Sequence, residues 1–153
     1  MKIWLKNPLC ILAENSDGGI LVEDKKIIEL IPSGKQPSTS YDSIFDARNH
    51  IILPGLINLH HHFYQTLTRV LPEAINKKLF PWLQTLYPIW SGLTPDALRI
   101  STRLALAELL LSGCTTTSDH HYIFPSGLEN AIDIQVEEAN YLGIRVILCR
   151  GSM

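Results

Sequence analysis

The rhythm of apolar and polar positions changes near residue 50. Before it, short alternating runs predict four strands, Lys2 to Leu5, Gly19 to Glu23, Ile27 to Ile31 and Ile44 to Ala47. The two middle runs are joined through Asp24-Lys25, a hairpin spacing that lacks the usual glycine at its second turn position. Pro32 to Ser40, rich in Pro, Gly and Ser, reads as a surface loop. Residues 1–50 are therefore expected to form the strands of a small β-sheet module with no catalytic constellation.

From Ile51 onward longer apolar strands alternate with helices, the pattern of βαβ units and a parallel sheet. Strands are predicted at Ile51 to Leu59, Thr115 to His121 and Ile144 to Cys149, with helices at Pro95 to Ser112 and Ala131 to Leu142. Thr94 can cap the first helix, Pro95 suits its first position, Asp96 favours its N-terminal dipole, and Gly113 and Gly143 can end the two helices. The fold class is α/β, the N-terminal part of a (β/α)8 barrel at residues 51–153 behind the small β module. A whole barrel takes about 250 residues and eight strands. Three strands leave an open apolar edge, so the expectation is the N-terminal portion of a longer enzyme.

Composition narrows the class further. The chain has 153 residues, 46% hydrophobic and 18% charged, with a net charge of −2. Its pI near 6.3 supplies no basic stripe, so nucleic acid is not an expected partner. The apolar run Leu104 to Leu111 is broken by Glu108 and falls short of the ~18–20 residues of a bilayer span, which argues against a membrane role. Lys6, Asn7 and Pro8 interrupt Ile3-Trp4-Leu5 before signal-peptide length is reached, making the cytoplasm the expected location. Cys10, Cys114 and Cys149 form no close pair and are expected to be buried as small hydrophobes.

Candidate chemistry concentrates in Pro54-Gly55-Leu56-Ile57-Asn58-Leu59-His60-His61-His62. On an extended strand His60 and His62 share one face about 6.6 Å apart, while His61 points the other way. Two imidazoles so placed can close on one metal ion, and zinc suits neutral imidazole nitrogen. A solvated loop is the alternative reading. At the end of the next predicted strand, Asp119 and His121 are in phase with Thr117, which favours His121 over His120 as the side chain facing the barrel mouth.

These strings resemble the amidohydrolase superfamily, in its branch of cytosine, guanine and triazine deaminases. The likeness rests on Leu53-Pro54-Gly55-Leu56-Ile57-Asn58 leading to His60-x-His62, on Gly113-Cys114-Thr115-Thr116-Thr117-Ser118-Asp119, and on the segments around Phe80-Pro81-Trp82-Leu83 and Asp119-His120-His121-Tyr122. It implies a metal-dependent hydrolase with one zinc ion per subunit, iron(II) being the alternative, and with His60 and His62 as first-strand ligands. The implied reaction is hydrolytic loss of an exocyclic amine from an aminated purine or triazine ring. The other ligands and the proton-shuttling acid are then expected beyond Met153, so no catalytic acid or base is assigned within the chain, which alone is expected to be inactive. Self-association of the complete enzyme is left open.

Gln65 can donate to and accept from a heterocycle edge, or simply cap a helix. Trp82 and Trp90 can stack on a ring, or pack the insertion that carries them. His121 is a candidate substrate contact. Arg69 is expected to pair with Glu73 one helical turn on, its alternative being an anionic substrate oxygen. His50 receives no role. Two rival readings stay open, a non-catalytic zinc-binding module and a cyclic amide hydrolase of the same superfamily.

Overall fold

Residues 1–152 are described by the computed structural model, in two units, 1–54 and 55 onward. The first contains β1 (Lys2–Lys6), β2 (Cys10–Ile11), β3 (Gly19–Glu23), β4 (Lys26–Ile31), β5 (Ser43–Asp46) and β6 (Ile51–Ile52). Four of these form a sheet in the order β4-β3-β1-β5, antiparallel except for β5 beside β1. Trp4, Leu21 and Ile31 bury their side chains together, and the Trp4 indole Nε1 donates to the Gly18 carbonyl at 3.1 Å. The hairpin between β3 and β4 turns without glycine because Asp24 takes a φ of 52°, a conformation that Asp tolerates better than most residues.

One expected strand is two. Ile51 to Leu59 does not run continuously, because Ile51–Ile52 pairs with Cys10–Ile11 in the first unit, and the strand of the second unit begins only at Leu56. Pro54 and Gly55 separate them. At Gly55 a Cβ would lie 2.1 Å from Thr115 Oγ1, so only glycine permits this approach.

The second unit contains β7 (Leu56–Asn58), a 3-10 turn at Phe63–Thr68, α1 (Leu79–Trp90), α2 (Pro95–Leu111), β8 (Cys114–His121), α3 (Ala131–Leu142) and β9 (Arg145–Arg150). Its three strands form a parallel sheet in the order β7-β8-β9, open at both edges and not a closed barrel. Helix α2 starts where its signals place it, with Thr94 Oγ1 accepting from the Ala97 N–H at 3.2 Å. Gly143 closes α3 at a φ of 76°, donating its N–H to the Ala139 carbonyl at 2.9 Å. Helix α1, which the sequence pattern had not predicted, tolerates Pro81 in its first turn, where an amide N–H has no helical partner anyway.

Packing lies on one side of the sheet. Phe63, Ala105, Leu106, Ala139 and Ile144 form the layer under the strands, and Tyr64, Leu86, Trp90, Leu98, Leu128 and Ile134 form a second cluster. Between α2 and α3, Arg99 and Arg103 both donate to the buried Glu138 carboxylate, at 2.8 and 2.6 Å. The opposite face of the sheet leaves Ile57 66%, Leu59 71% and Ile147 56% exposed. Cys114 is buried as expected, but Cys10 and Cys149 are exposed. Among the described residues no helix is long and apolar enough to cross a membrane.

Leu106 is fully buried under the sheet, whereas Leu111 at the end of the same helix is 90% exposed. Leu106→Ala is expected to destabilise the second unit by about 2–5 kcal/mol, and Leu111→Ala by less than about 0.5 kcal/mol. Urea unfolding followed by circular dichroism checks both; equal effects would contradict a core confined to the helix side.

Candidate functional site

Strand β7 is only three residues long, and the histidines lie just past its end. Asn58 ends the strand by accepting the His60 backbone N–H on its side-chain oxygen at 2.9 Å, a local turn typical of Asn. His62 has φ −135° and ψ 89° just before the 3-10 turn begins. The His60 and His62 rings lie edge to face with centroids 5.3 Å apart.

Strand β8 holds this segment at three places. The His120 N–H donates to the His61 carbonyl at 3.0 Å, the Phe63 N–H donates to Asp119 Oδ1 at 2.6 Å, and His62 Nδ1 lies 2.8 Å from the His120 carbonyl. A carbonyl can only accept, so the proton of a neutral His62 ring sits on Nδ1 and the Nε2 lone pair is left for a ligand. That is the arrangement in which a histidine best binds a metal, its second nitrogen tied to a fixed acceptor. Among the described residues, no group of three or more His, Cys, Asp or Glu side chains is placed to hold a metal ion. Among the described residues, two candidate ligands are brought together and no third.

Clefts flank the histidines on both sides. One, of about 360 Å³, is lined by His60, His61, His62, Gln65, Arg69 and Trp82. Gln65 and Trp82, distant in sequence, thus face the same space. The Gln65 amide nitrogen is 3.2 Å from the Tyr122 hydroxyl, and Trp82 packs edge to face on Trp90 with centroids 5.3 Å apart. The other cleft, of about 260 Å³, is lined by His60, His62, Ser118, His120 and Cys149 among others.

His121 does not face either cleft. Its phase with Thr117 and Asp119 is as expected, but all three are fully buried, on the side where the helices pack. His121 Nε2 meets the Ile123 carbonyl at 2.7 Å, and its ring lies between Tyr64 and Phe124. The exposed neighbour His120 instead shares the cleft with His60 and His62, with its ring 5.7 Å from that of His62. Alternation along the strand identified the pair of faces; which face is open depends on where α2 and α3 pack, and that is set outside the strand.

Arg69 pairs with Glu108 on α2 at 2.8 Å rather than with Glu73, since the 3-10 turn ends at Thr68 and no helix carries Arg69 toward Glu73. Asp119 and Gln135 were not singled out by the sequence pattern as a pair. Gln135 Nε2 donates to Asp119 Oδ2 at 2.7 Å, and both side chains are buried. Nothing short of the packing of α3 against β8 brings them together across sixteen positions.

Burial shifts two titrating groups in opposite directions. It pushes the Asp119 carboxyl up to about 6, although the Phe63 N–H and Gln135 amide pull it back. It lowers the His121 imidazole to about 4, against the partial support of the Ile123 carbonyl. Above its unfolded value His121 costs nothing, and its contribution to stability is lost as pH falls from about 6.5 toward 4, where only the unfolded state takes the proton. Asp119 works the other way: the folded state holds its proton more tightly, so stability is lost as pH rises from about 3.8 toward 6. His121→Phe removes the first effect while filling the space between Tyr64 and Phe124. Relative to the parent chain, the variant is expected to gain about 2 kcal/mol on going from pH 7 to pH 4.5. Urea midpoints at the two pH values test this, and an unchanged difference would contradict a neutral, buried His121.

The chain is similar to known proteins. The amidohydrolase family pattern matches residues 51–153, which include the histidine segment, β8 and all three helices. The chain is 56% identical to 8-oxoguanine deaminase from Pseudomonas aeruginosa over 99% of its length and 34% of that protein. It is 34% identical to hydroxydechloroatrazine ethylaminohydrolase from a Pseudomonas species, over 88% of the chain and 30% of the relative. Among solved structures it is similar to an atrazine chlorohydrolase variant from Arthrobacter aurescens complexed with zinc and atraton, with a TM-score of 0.81 and 30% identity over 99% of this chain and 36% of that one. The chain spans about a third of the length of these relatives. With two thirds of its residues inside the matched region, and the paired histidines among them, the chain belongs to the amidohydrolase family.

Proposed function

We propose that this chain carries the first metal-binding segment and one wall of the substrate cleft of a zinc-dependent aminohydrolase acting on 8-oxoguanine, which it converts with water to urate and ammonia. The observation that carries the reading is the paired His60 and His62 rings, with His62 held through Nδ1 so that Nε2 is free, in a chain 56% identical to an 8-oxoguanine deaminase. Supporting it, a solved relative at 30% identity is complexed with zinc.

The donor set fits zinc: two neutral imidazoles suit a borderline-soft cation, and one of them is oriented by a fixed carbonyl. Zinc, when bound, supplies the Lewis acidity that makes water nucleophilic near neutral pH. The remaining ligands and the acid that moves protons are assigned to polypeptide other than the described residues, because no third ligand stands beside these two. This also disfavours a self-contained zinc-binding module, which needs a closed set of ligands.

The chain's own residues bind and orient the heterocycle. Gln65 offers an amide that can both donate and accept along a purine edge, and Trp82 offers an indole face across the same cleft. Tyr122 anchors the Gln65 amide, and Trp90 backs Trp82, so neither contact depends on a loose side chain. Arg69 is neutralised by Glu108 and leaves the cleft without a strong demand for an anionic substrate.

Joining this chain to the remaining two thirds of the Pseudomonas aeruginosa relative gives the direct test. Such a protein is expected to release ammonia from 8-oxoguanine faster than from guanine, isoguanine or hydroxytriazines. His60→Asn or His62→Asn should each lower that rate by more than about a hundredfold, since they remove ligands rather than their supports. Activity confined to simple amides would overturn the assignment.

A further inference from the structure

We infer that Asp119 and Gln135 are a buried positioning pair that aims His62 at the metal, through the peptide that follows it. The inference rests on the reading of His60 and His62 as ligands and adds two buried residues whose side chains bond to the Phe63 N–H and to each other.

The connection is short. Asp119 Oδ1 accepts the Phe63 N–H at 2.6 Å, and Oδ2 accepts from Gln135 Nε2 at 2.7 Å. The Phe63 nitrogen belongs to the same peptide plane as the His62 carbonyl, so holding it holds the His62 ψ at 89°. One residue on, the His120 carbonyl holds the ring itself through Nδ1 at 2.8 Å, and the His120 N–H holds the His61 carbonyl at 3.0 Å. Backbone and ring of His62 are thus tied to adjacent residues of one strand. Rotation about ψ would swing the ring away from His120, whereas rotation of the ring alone would break the Nδ1 bond.

Asp119 can do this because it is itself fixed. Its side chain is fully buried, and its two recorded partners are Phe63 and Gln135, one donor for each oxygen. A buried carboxylate that lost one donor would be left under-bonded, and its remaining bond would have to carry the whole group. Gln135 projects from the second turn of α3, a helix locked to α2 by the Glu138 pairs with Arg99 and Arg103. The line of support therefore runs from the α2–α3 interface through Gln135 and Asp119 to the ligand backbone.

The fusion of this chain to the remaining two thirds of the Pseudomonas aeruginosa relative, labelled with 15N-histidine and stripped of metal, tests this by NMR with zinc chloride as the only added probe. In the zinc-free protein His62 is expected to show a single tautomer with the proton on Nδ1, and zinc should shift the Nε2 signals of His60 and His62. Asp119→Ala is expected to weaken that zinc binding about tenfold and to mix the His62 tautomers. Asp119→Asn keeps an acceptor for the Phe63 N–H, and its amide can donate to the Gln135 oxygen once that side chain turns, so it should restore affinity to within about threefold. Gln135→Met keeps the volume on α3 without the donor, and covers the case in which Asp119→Ala fails to fold; it too should loosen zinc binding and the His62 tautomer. Wild-type zinc affinity and an unmixed His62 tautomer in folded Gln135→Met or Asp119→Ala would overturn the positioning role alone. Absence of any zinc-dependent shift at His60 and His62 in the unsubstituted fusion, where the remaining ligands are supplied, would overturn the ligand reading, and this inference with it.

Discussion

The grip of β8 on the histidine segment is the constraint on which the site depends. Strand β7 contributes only Leu56 to Asn58, too short a ladder to hold anything beyond its own end. What holds His61 to Phe63 in place is the end of the neighbouring strand, through one backbone bond, one ring bond and one carboxylate bond. Those three bonds differ in kind. The backbone pair sets register, the carbonyl at Nδ1 selects the tautomer, and the carboxylate fixes a peptide plane. The grip is available because β8 runs on to His121, past the position opposite Asn58 where β7 ends, so its last residues stand beside the segment that follows β7.

Much of the fold was legible because local signals agreed with one another. Thr94-Pro95-Asp96 at one end and Gly113 at the other bracketed α2 to within a residue, and Gly143 marked the end of α3. Where a single signal stood alone, it misled. The apolar run from Ile51 to Leu59 reads as one strand because hydrophobicity does not record which sheet a residue joins, and Ile51–Ile52 joins Cys10–Ile11. Helix α1 was hidden by its prolines. Pro81 lies in the first turn, and Pro88 falls inside the helix but only two residues before its end, so neither breaks it where an interior proline would.

The site divides in the same way. His60 and His62 could be placed side by side from their spacing, even though they lie past the strand rather than on it. Gln65 and Trp82 reach one cleft, although seventeen positions separate them and only the folding of α1 back over the 3-10 turn brings them together. His121 shows the limit. Period-two alternation groups Thr117, Asp119 and His121 correctly, yet cannot say whether that group faces helices or open space. The choice is made by α2 and α3, whose apolar faces need a surface to cover, and a Thr, an Asp satisfied by Gln135 and a neutral His suffice. His120 is left on the other face by subtraction.

That other face carries an energetic consequence of its own. Ile57, Leu59 and Ile147 are more than half exposed there, in phase with or next to residues that line the His60 and His62 cleft. The helix side is already closed by Phe63, Ala105, Leu106, Ala139 and Ile144, so the unit's own core does not require these side chains. Ligand-bearing face and uncovered hydrocarbon are thus the same surface. Under the amidohydrolase reading, any strand that brought further ligands to His60 and His62 would also remove Ile57, Leu59 and Ile147 from water, at about 25 cal/mol for each Å² covered. Completion of the metal shell and closure of the sheet then draw on one hydrophobic driving force. The stability of the helix layer, closed by its own core, does not rest on the covering of this face.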